Sequence, residues 1–195
     1  MKMQIFRTAK NKSLRSNLAK EFTAEKEPAQ IRVRIGIRKG RSYLANVDFA
    51  QKRHLRKEAR LCQRVLKRRV HPNVFGSVRK RGLNKALAQI AVWKDLRRPI
   101  TKLDNKRAFR SVDKLRSDAR MRKMGLLPFN EALRYVAADG KQVHVRGLPE
   151  GQPHSSILLA DYLSPVIKRI SKQFDALLYG DDLYIALNSP DQHWA

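Results

Sequence analysis

A single cysteine, Cys62, occurs among 195 residues. That excludes an internal disulfide framework and any cysteine-based zinc cluster. No apolar run reaches the ~18 residues of a membrane-spanning helix, so no membrane partner is expected. The opening segment MKMQIFRTAKNKSLR lacks the apolar core of a secretory signal, and the expected location is the cytoplasm. Internal repeats and low-complexity tracts are absent. Acidic residues are scarce: 17 Asp+Glu face 43 Lys+Arg, which leaves a net charge of +26. Such a surplus calls for a polyanionic partner, and nucleic acid phosphate is the default.

The basic charge is not that of a disordered tail, because 42% of the residues are hydrophobic. The length suits one domain, or a large core with a small lobe. Residues 1–30 are polar and read as a basic extension ending in the loop AEKEPAQ. In IRVRIGIR (31–38), Ile31, Val33, Ile35 and Ile37 alternate with Arg32, Arg34 and Arg38, which predicts a strand with one apolar and one cationic face. Lys39-Gly40-Arg41 supplies a turn, and SYLANV (42–47) returns as a second strand. From Gln51 to Val70, Leu55, Ala59, Cys62 and Leu66 recur at helical spacing opposite a dense Lys/Arg face. His71-Pro72-Asn73 stops that helix.

Another helix is expected over Leu83–Trp93, then a short strand over Pro99–Asp104. Helices are expected at 112–124 and 129–138, separated by Gly125 and Leu127-Pro128, followed by a turn and a strand over QVHVR (142–146). A helix starts near Ser155 and carries Pro165. The chain ends in a hairpin: FDALLY (174–179), a Gly180-Asp181 turn, and DLYIAL (182–187). Lys and Arg are dense over the first 125 residues and sparse in the last 25. The cationic groove is therefore expected in the N-terminal lobe.

Three acidic residues stand at strand ends: Asp104 closes ITKLD, while Asp181 and Asp182 lie in the final hairpin turn. Convergent carboxylates on rigid strand ends can bind hard divalent cations, and Mg2+ is usually held by one or two carboxylates plus substrate phosphates. In a two-metal site one ion activates the attacking oxygen and the other stabilises the leaving oxygen. With the cationic chain holding a polyanion, the combination suggests nucleotidyl transfer. Each piece alone has a plainer account. Asp-Asp in a hairpin turn is ordinary turn chemistry, and Asp104 suits a cap.

The ordered set of motifs resembles the reverse transcriptase family, in its bacterial retroelement and defence-associated branches. LDNKRAF supplies Asp104 with an aromatic, Phe109, five residues on; GLPEGQPHSS (147–156) matches the family loop that opens a helix; Tyr179-Gly180-Asp181-Asp182 matches the closing hairpin. HPNVFGSVRKRG (71–82) is similar to the segment joining fingers to palm, and the strand pair at 31–47 is placed like the fingers hairpin. The resemblance covers about residues 30–190. It implies an α+β fold: a right-hand polymerase palm, an antiparallel sheet with packed helices, plus a basic fingers lobe. The implied division is an extension at 1–30, fingers at 31–97 and palm at 98–195, truncated after the hairpin, with fingers and palm interleaved.

The roles that follow are those the resemblance implies. Asp104, Asp181 and Asp182 form the catalytic, metal-binding triad, aided by the Asn105 backbone carbonyl, with two Mg2+ ions or Mn2+ in their place. Asp181 carries more of the catalysis than Asp182. Phe109 lies beneath the sugar of the incoming dNTP, where its ring rejects a 2′-hydroxyl; Ala108, Lys39, Arg41, Glu150 and Gly151 join it in nucleotide binding. Arg79, Lys80, Arg81, Gly147, Pro149 and Tyr179 contact template or primer. The partners are an RNA template, an RNA–DNA duplex and dNTPs; with the chain ending 13 residues beyond Asp182, the expectation is either a truncated polymerase or one that takes its thumb from a second chain. His144 and His154 flank the loop and read as exposed polar positions with no catalytic task.

This chain departs from the family at Arg107, often an acid, at Glu150, usually Gln, and at Ser156, usually Pro. Gly180 in the hairpin is less common than Ala and is shared with RNA-dependent RNA polymerases. Phe109 speaks against that activity, since an RNA polymerase must admit the 2′-hydroxyl. An inactive RNA-binding or maturase-like module is the alternative of another class. A basic ribosomal-type protein explains the charge but not the motifs.

Overall fold

The computed structural model describes residues 28–38, 41–123, 128 and 133–188. The chain forms two compact units, each built from two separate segments: Met1–Cys62 with Val112–His154, and Gln63–Ser111 with Ser155–Ala195.

The first unit holds a three-stranded sheet of order β2-β1-β5. Strands β1 (Ala29–Arg38) and β2 (Arg41–Asn46) form the expected antiparallel hairpin. Ile31 and Val33 are buried, but Ile35 and Ile37 are 55% and 80% exposed. The apolar face therefore meets a core only in its first half, where β5 (Leu133–Val136) pairs in parallel with Ala29–Arg32. Helix α1 (Phe49–Leu66) begins on Asp48, whose Oδ1 accepts the Ala50 N–H at 2.8 Å. Its face of Leu55, Ala59, Cys62 and Leu66 is buried as the spacing predicts, although the helix ends at Leu66 rather than Val70. Helix α4 (Lys114–Lys123) belongs to the same unit.

β5 replaces the second half of the helix expected at 129–138; residues 129–132 lie outside the described set. Leu133 and Tyr135 are buried and Arg134 is exposed, a period of two imposed by pairing with β1 over the local helical preference. The strand expected at 142–146 is reduced to one antiparallel bridge, Val136 to Gln142.

The second unit holds a four-stranded sheet of order β3-β6-β7-β4. β4 (Ile100–Asp104), β6 (Asp175–Tyr179) and β7 (Asp182–Ala186) are antiparallel neighbours, while β3 (Val74–Phe75) runs parallel to β6. The sheet is mixed rather than purely antiparallel, because the 71–82 segment contributes β3 as an edge strand. Helix α2 (Leu83–Asp95) packs Ala86 and Trp93 onto Leu177 and Ala186, with Tyr179, Tyr184, Phe75 and Ile100 around them. Helix α5 (Ser155–Ile170) contacts β6 and β3 and buries Ile157, Leu158, Leu159 and Ile167. With helices on it, β6 is buried at Ala176, Leu177 and Leu178 in succession, the pattern of a central strand.

Candidate functional site

The aspartates are placed by strand register. In the β4–β7 ladder Asp104 stands opposite Asp182, and Asp181 lies one residue earlier, in the turn after Tyr179-Gly180. Gly180 adopts φ +66, which lets a tight turn close at little steric cost. The register thus sets the three aspartates at one end of the second unit's sheet. Asp104, Asn105 and Asp181 line a pocket of about 210 Å3, with Leu163 and Val166 of α5 and Leu178 and Leu183 of the hairpin on its apolar side.

Asp182 has a resident partner. The Lys102 ammonium lies 2.9 Å from its Oδ2 and 5.8 Å from the centroid of the Tyr184 ring. The hydrogen bond to Asp182, with the Asp182, Tyr184 and Asp104 charges behind it, holds Lys102 above its ordinary pKa. Lys102 and Asp104 are two residues apart on β4, so they share a face with Asp182 and Tyr184. Among the described residues, no group of three His, Cys, Asp or Glu side chains is gathered as a metal-holding set. The triad converges through its backbone register, and one member is committed to a lysine.

After Asp104 the chain makes a tight turn: the Asn105 carbonyl accepts the Ala108 N–H at 3.1 Å, and Arg107 adopts φ +56. A non-glycine residue in that region costs about 1–3 kcal/mol and is most often tolerated at functional sites. The turn opens helix α3 (Ala108–Ser111), in which Ala108 is buried and Phe109 half-buried.

The β6–β7 hairpin is fixed from both sides. Asn73 Nδ2 donates to the Ala176 carbonyl at 2.9 Å, and the Leu178 N–H donates to the Asn73 carbonyl at 2.8 Å. His71 N–H donates to Ser164 Oγ of α5 at 2.8 Å. Burial, then the charges of Arg81 and Lys168, hold the His71 imidazole below its usual pKa. At the far end of the sheet, Arg98 donates to the Leu187 and Ala186 carbonyls at 3.2 and 3.0 Å and to Asn188 Oδ1 at 2.7 Å, and pairs with Asp175. Asn73 and Arg98 escape sequence reasoning because their partners are backbone carbonyls that converge only in the fold.

The residues expected at template or primer divide. Arg79 and Lys80 are exposed. Arg81 is engaged elsewhere: its guanidinium donates to the His71, Val70 and Lys67 carbonyls at 2.7, 3.3 and 3.4 Å. It closes the carbonyl end of the chain leaving α1, a structural use that its place in a basic run concealed. Tyr179 packs with the Ala86–Trp93 cluster. Of the pair expected at the fingers turn, Lys39 lies outside the described residues, and Arg41 opens β2.

The Gly147–Gly151 loop belongs to the first unit, where Gly147, Leu148 and Pro149 are buried. It is seated on β2. The Leu44 N–H donates to the Glu150 carbonyl at 2.8 Å, and Gln152 Nε2 donates to the Leu44 carbonyl and Asn46 Oδ1 at 2.9 and 2.7 Å. Gly151 has φ +88, and a Cβ there would lie 2.7 Å from the Leu44 oxygen. The close backbone approach at this glycine is thus made to β2. His154 is 1% exposed, contrary to the exposed position expected, and shares a 3.3 Å hydrogen bond with the Tyr135 hydroxyl. Burial pushes its pKa down to about 3 and pushes that of Tyr135 up. An alternation of Leu133 and Tyr135 read as strand would have placed Tyr135 inside; no local signal places His154 there.

No curated protein matches the sequence at a significant level. Among solved structures, telomerase from Candida albicans, in complex with the TWJ fragment of telomeric RNA, matches with a TM-score of 0.57 at 12% identity. The match covers 92% of this chain and 42% of the telomerase chain, so this chain spans less than half of that protein's length. At this identity the likeness concerns the fold: sheets and helices of mixed α+β type. Residues 46–195 match the family model described as reverse transcriptase (RNA-dependent DNA polymerase). That match takes in the Asp104 strand, the Gly147 loop and the Tyr179–Asp182 hairpin, and the chain belongs to the reverse transcriptase family.

Proposed function

We propose that this chain is the fingers-and-palm portion of an RNA-templated DNA polymerase. The observation that carries the reading is the register that sets Asp104 opposite Asp182 with Asp181 in the adjoining turn. In the proposed reaction the primer 3′-hydroxyl attacks the α-phosphorus of a bound dNTP. The new O–P bond forms as the bond to the β-phosphate breaks, and pyrophosphate leaves with the next primer end set in place. The chain's part is positioning and charge neutralisation, the two largest contributions open to a protein in phosphoryl transfer.

Asp104 and Asp181, with the Asn105 carbonyl beside them, are the residues that would hold a hard divalent cation. Asp104 and Asp181 line one pocket beside Asn105, and one or two carboxylates are what Mg2+ ordinarily takes from a protein. Bound there, the ion would supply activation of the attacking oxygen and compensation of charge on the leaving one. Phe109, three residues beyond Lys106 on the turn from Asp104, is the residue assigned to exclude the 2′-hydroxyl. RNA template, RNA–DNA duplex and dNTPs are the proposed partners. The resemblance of the ordered motifs at 104–109, 147–156 and 179–182 supports a place in the bacterial retroelement and defence-associated branches.

Primer extension on poly(A)/oligo(dT) with dTTP and Mg2+ tests the reading. Wild type extends, and the Asp181→Asn, Asp182→Asn double variant does not. The Lys102–Asp182 pair favours a second reading, an RNA-binding module without catalysis. Equal RNA binding by both proteins with no extension by either selects it.

A further inference from the structure

Helix α1 presents a second face whose use the aspartate site leaves unexplained. At about 100° per residue, Phe49, Arg53, Arg56, Lys57 and Arg60 fall within one arc of about 100°. The buried Leu55, Ala59 and Cys62 lie on the far side. All five residues of the stripe are exposed, and together they line a shallow depression of about 340 Å3. Phe49, at the head of the helix, is 75% exposed, an unusual place for a phenyl ring. The four cations form no ion pair among the described residues. From Phe49 to Arg60 the stripe runs ~16 Å along the helix axis.

The geometry points to a binding surface for single-stranded nucleic acid: four cations that track successive phosphates and one aromatic ring on which a base stacks. Cationic grooves combined with an aromatic platform are how proteins hold single strands without reading sequence. A lipid surface fits less well. An interfacial helix needs a free apolar face, and here that face is buried, leaving Phe49 alone. The surface is independent of catalysis, since none of its residues belongs to the aspartate site or its nucleotide and template set.

The test is anisotropy of a labelled oligo(U) 20-mer with the full chain, without nucleotide or metal, across a series of salt concentrations. The quadruple variant Arg53→Gln, Arg56→Gln, Lys57→Gln, Arg60→Gln should lower the slope of log K against log salt by about 3, from ~0.7 per phosphate contact. A control with the same loss of charge at exposed sites, Lys85→Gln, Lys94→Gln, Lys168→Gln, Lys172→Gln, should move it far less. Phe49→Ala should weaken binding about tenfold while leaving the slope in place. Thermal melts establish that each variant is folded, and the Asp181→Asn, Asp182→Asn chain should bind like wild type. Equal slope changes in the two quadruple variants overturn the proposal, because the general field of the protein would then account for binding. An unchanged affinity in Phe49→Ala overturns the stacking role. A loss confined to anionic vesicles, with oligo(U) binding intact, assigns the stripe to lipid instead.

Discussion

Substituting alanine for Gly151 adds one methyl group where the chain has no room for it. The new Cβ would sit 2.7 Å from the Leu44 oxygen, and both groups belong to backbone that cannot swing aside. The residue also keeps φ +88, which costs an L-amino acid ~1–2 kcal/mol. Relief of the contact requires the loop to lift from β2, straining the Leu44–Glu150 bond of 2.8 Å and the Gln152–Leu44 bond of 2.9 Å. At about 1 kcal/mol for each hydrogen bond, the total loss is about 3 kcal/mol. Gly180 is the matched control: φ is +66 and nothing lies within 4 Å of its Cβ position. Gly180→Ala should therefore cost only the conformational part, about 1 kcal/mol. With a urea m-value of about 2 kcal/mol/M, the midpoints should fall by about 1.5 M and about 0.5 M respectively. Equal shifts would refute the reasoning, because the contact with Leu44 is the one difference between the two sites.

Further outcomes follow from individual contacts. His154, held neutral to about pH 3 by burial, takes up its proton near pH 6.5 only when the chain unfolds. Stability should therefore fall as pH drops below 6.5, by about 2 kcal/mol at pH 5, and urea melts of His154→Leu should show a flatter profile. His71, shifted in the same direction, adds to the slope of the wild type. Arg98→Ala removes the donor shared by two carbonyls and Asn188, and should lower stability by about 3 kcal/mol in the same assay; a loss below about 1 kcal/mol would show that water replaces it. Lys102→Met frees the Asp182 carboxylate, so Mn2+ titrated by electron paramagnetic resonance should bind up to about fivefold more tightly. Unaltered affinity would mean that the pair does not compete with the ion.

Periodicity made much of the fold legible. The hairpin of β1 and β2, the buried face of α1, and the strands carrying Asp104 and Asp181-Asp182 all follow from spacing and turn residues within a short window. β5 did not, because Leu133–Val136 sits among good helix formers and its partner β1 lies about a hundred residues earlier. Local preference is overridden there by a distant ladder. β3 is two residues long, too short for any pattern, and its place beside β6 depends on Asn73 reaching a carbonyl of that strand. The aspartates were legible as a set, whereas the lysine on Asp182 was not: only the β4–β7 register brings Lys102 alongside. The contacts of Arg81 were illegible for the opposite reason. In a basic run it looks available, and the carbonyls that occupy it, of Lys67, Val70 and His71, lie in the chain that follows α1.

Each compact unit is stitched from two stretches of chain, with the second unit taking Gln63–Ser111 and then Ser155 onward. Asp104 is therefore made on the ribosome long before the strand it faces. Until β7 emerges, β4 has no neighbour, because its only ladder among the described residues is with β7. The exposed edge and the apolar side chains waiting for β6 and α5 must survive the synthesis of some eighty residues, an interval of roughly 4–16 s at ordinary elongation rates. A nascent chain of this kind is a natural client for ribosome-associated chaperones, and a stop codon before residue 182 would leave the waiting edge permanently open.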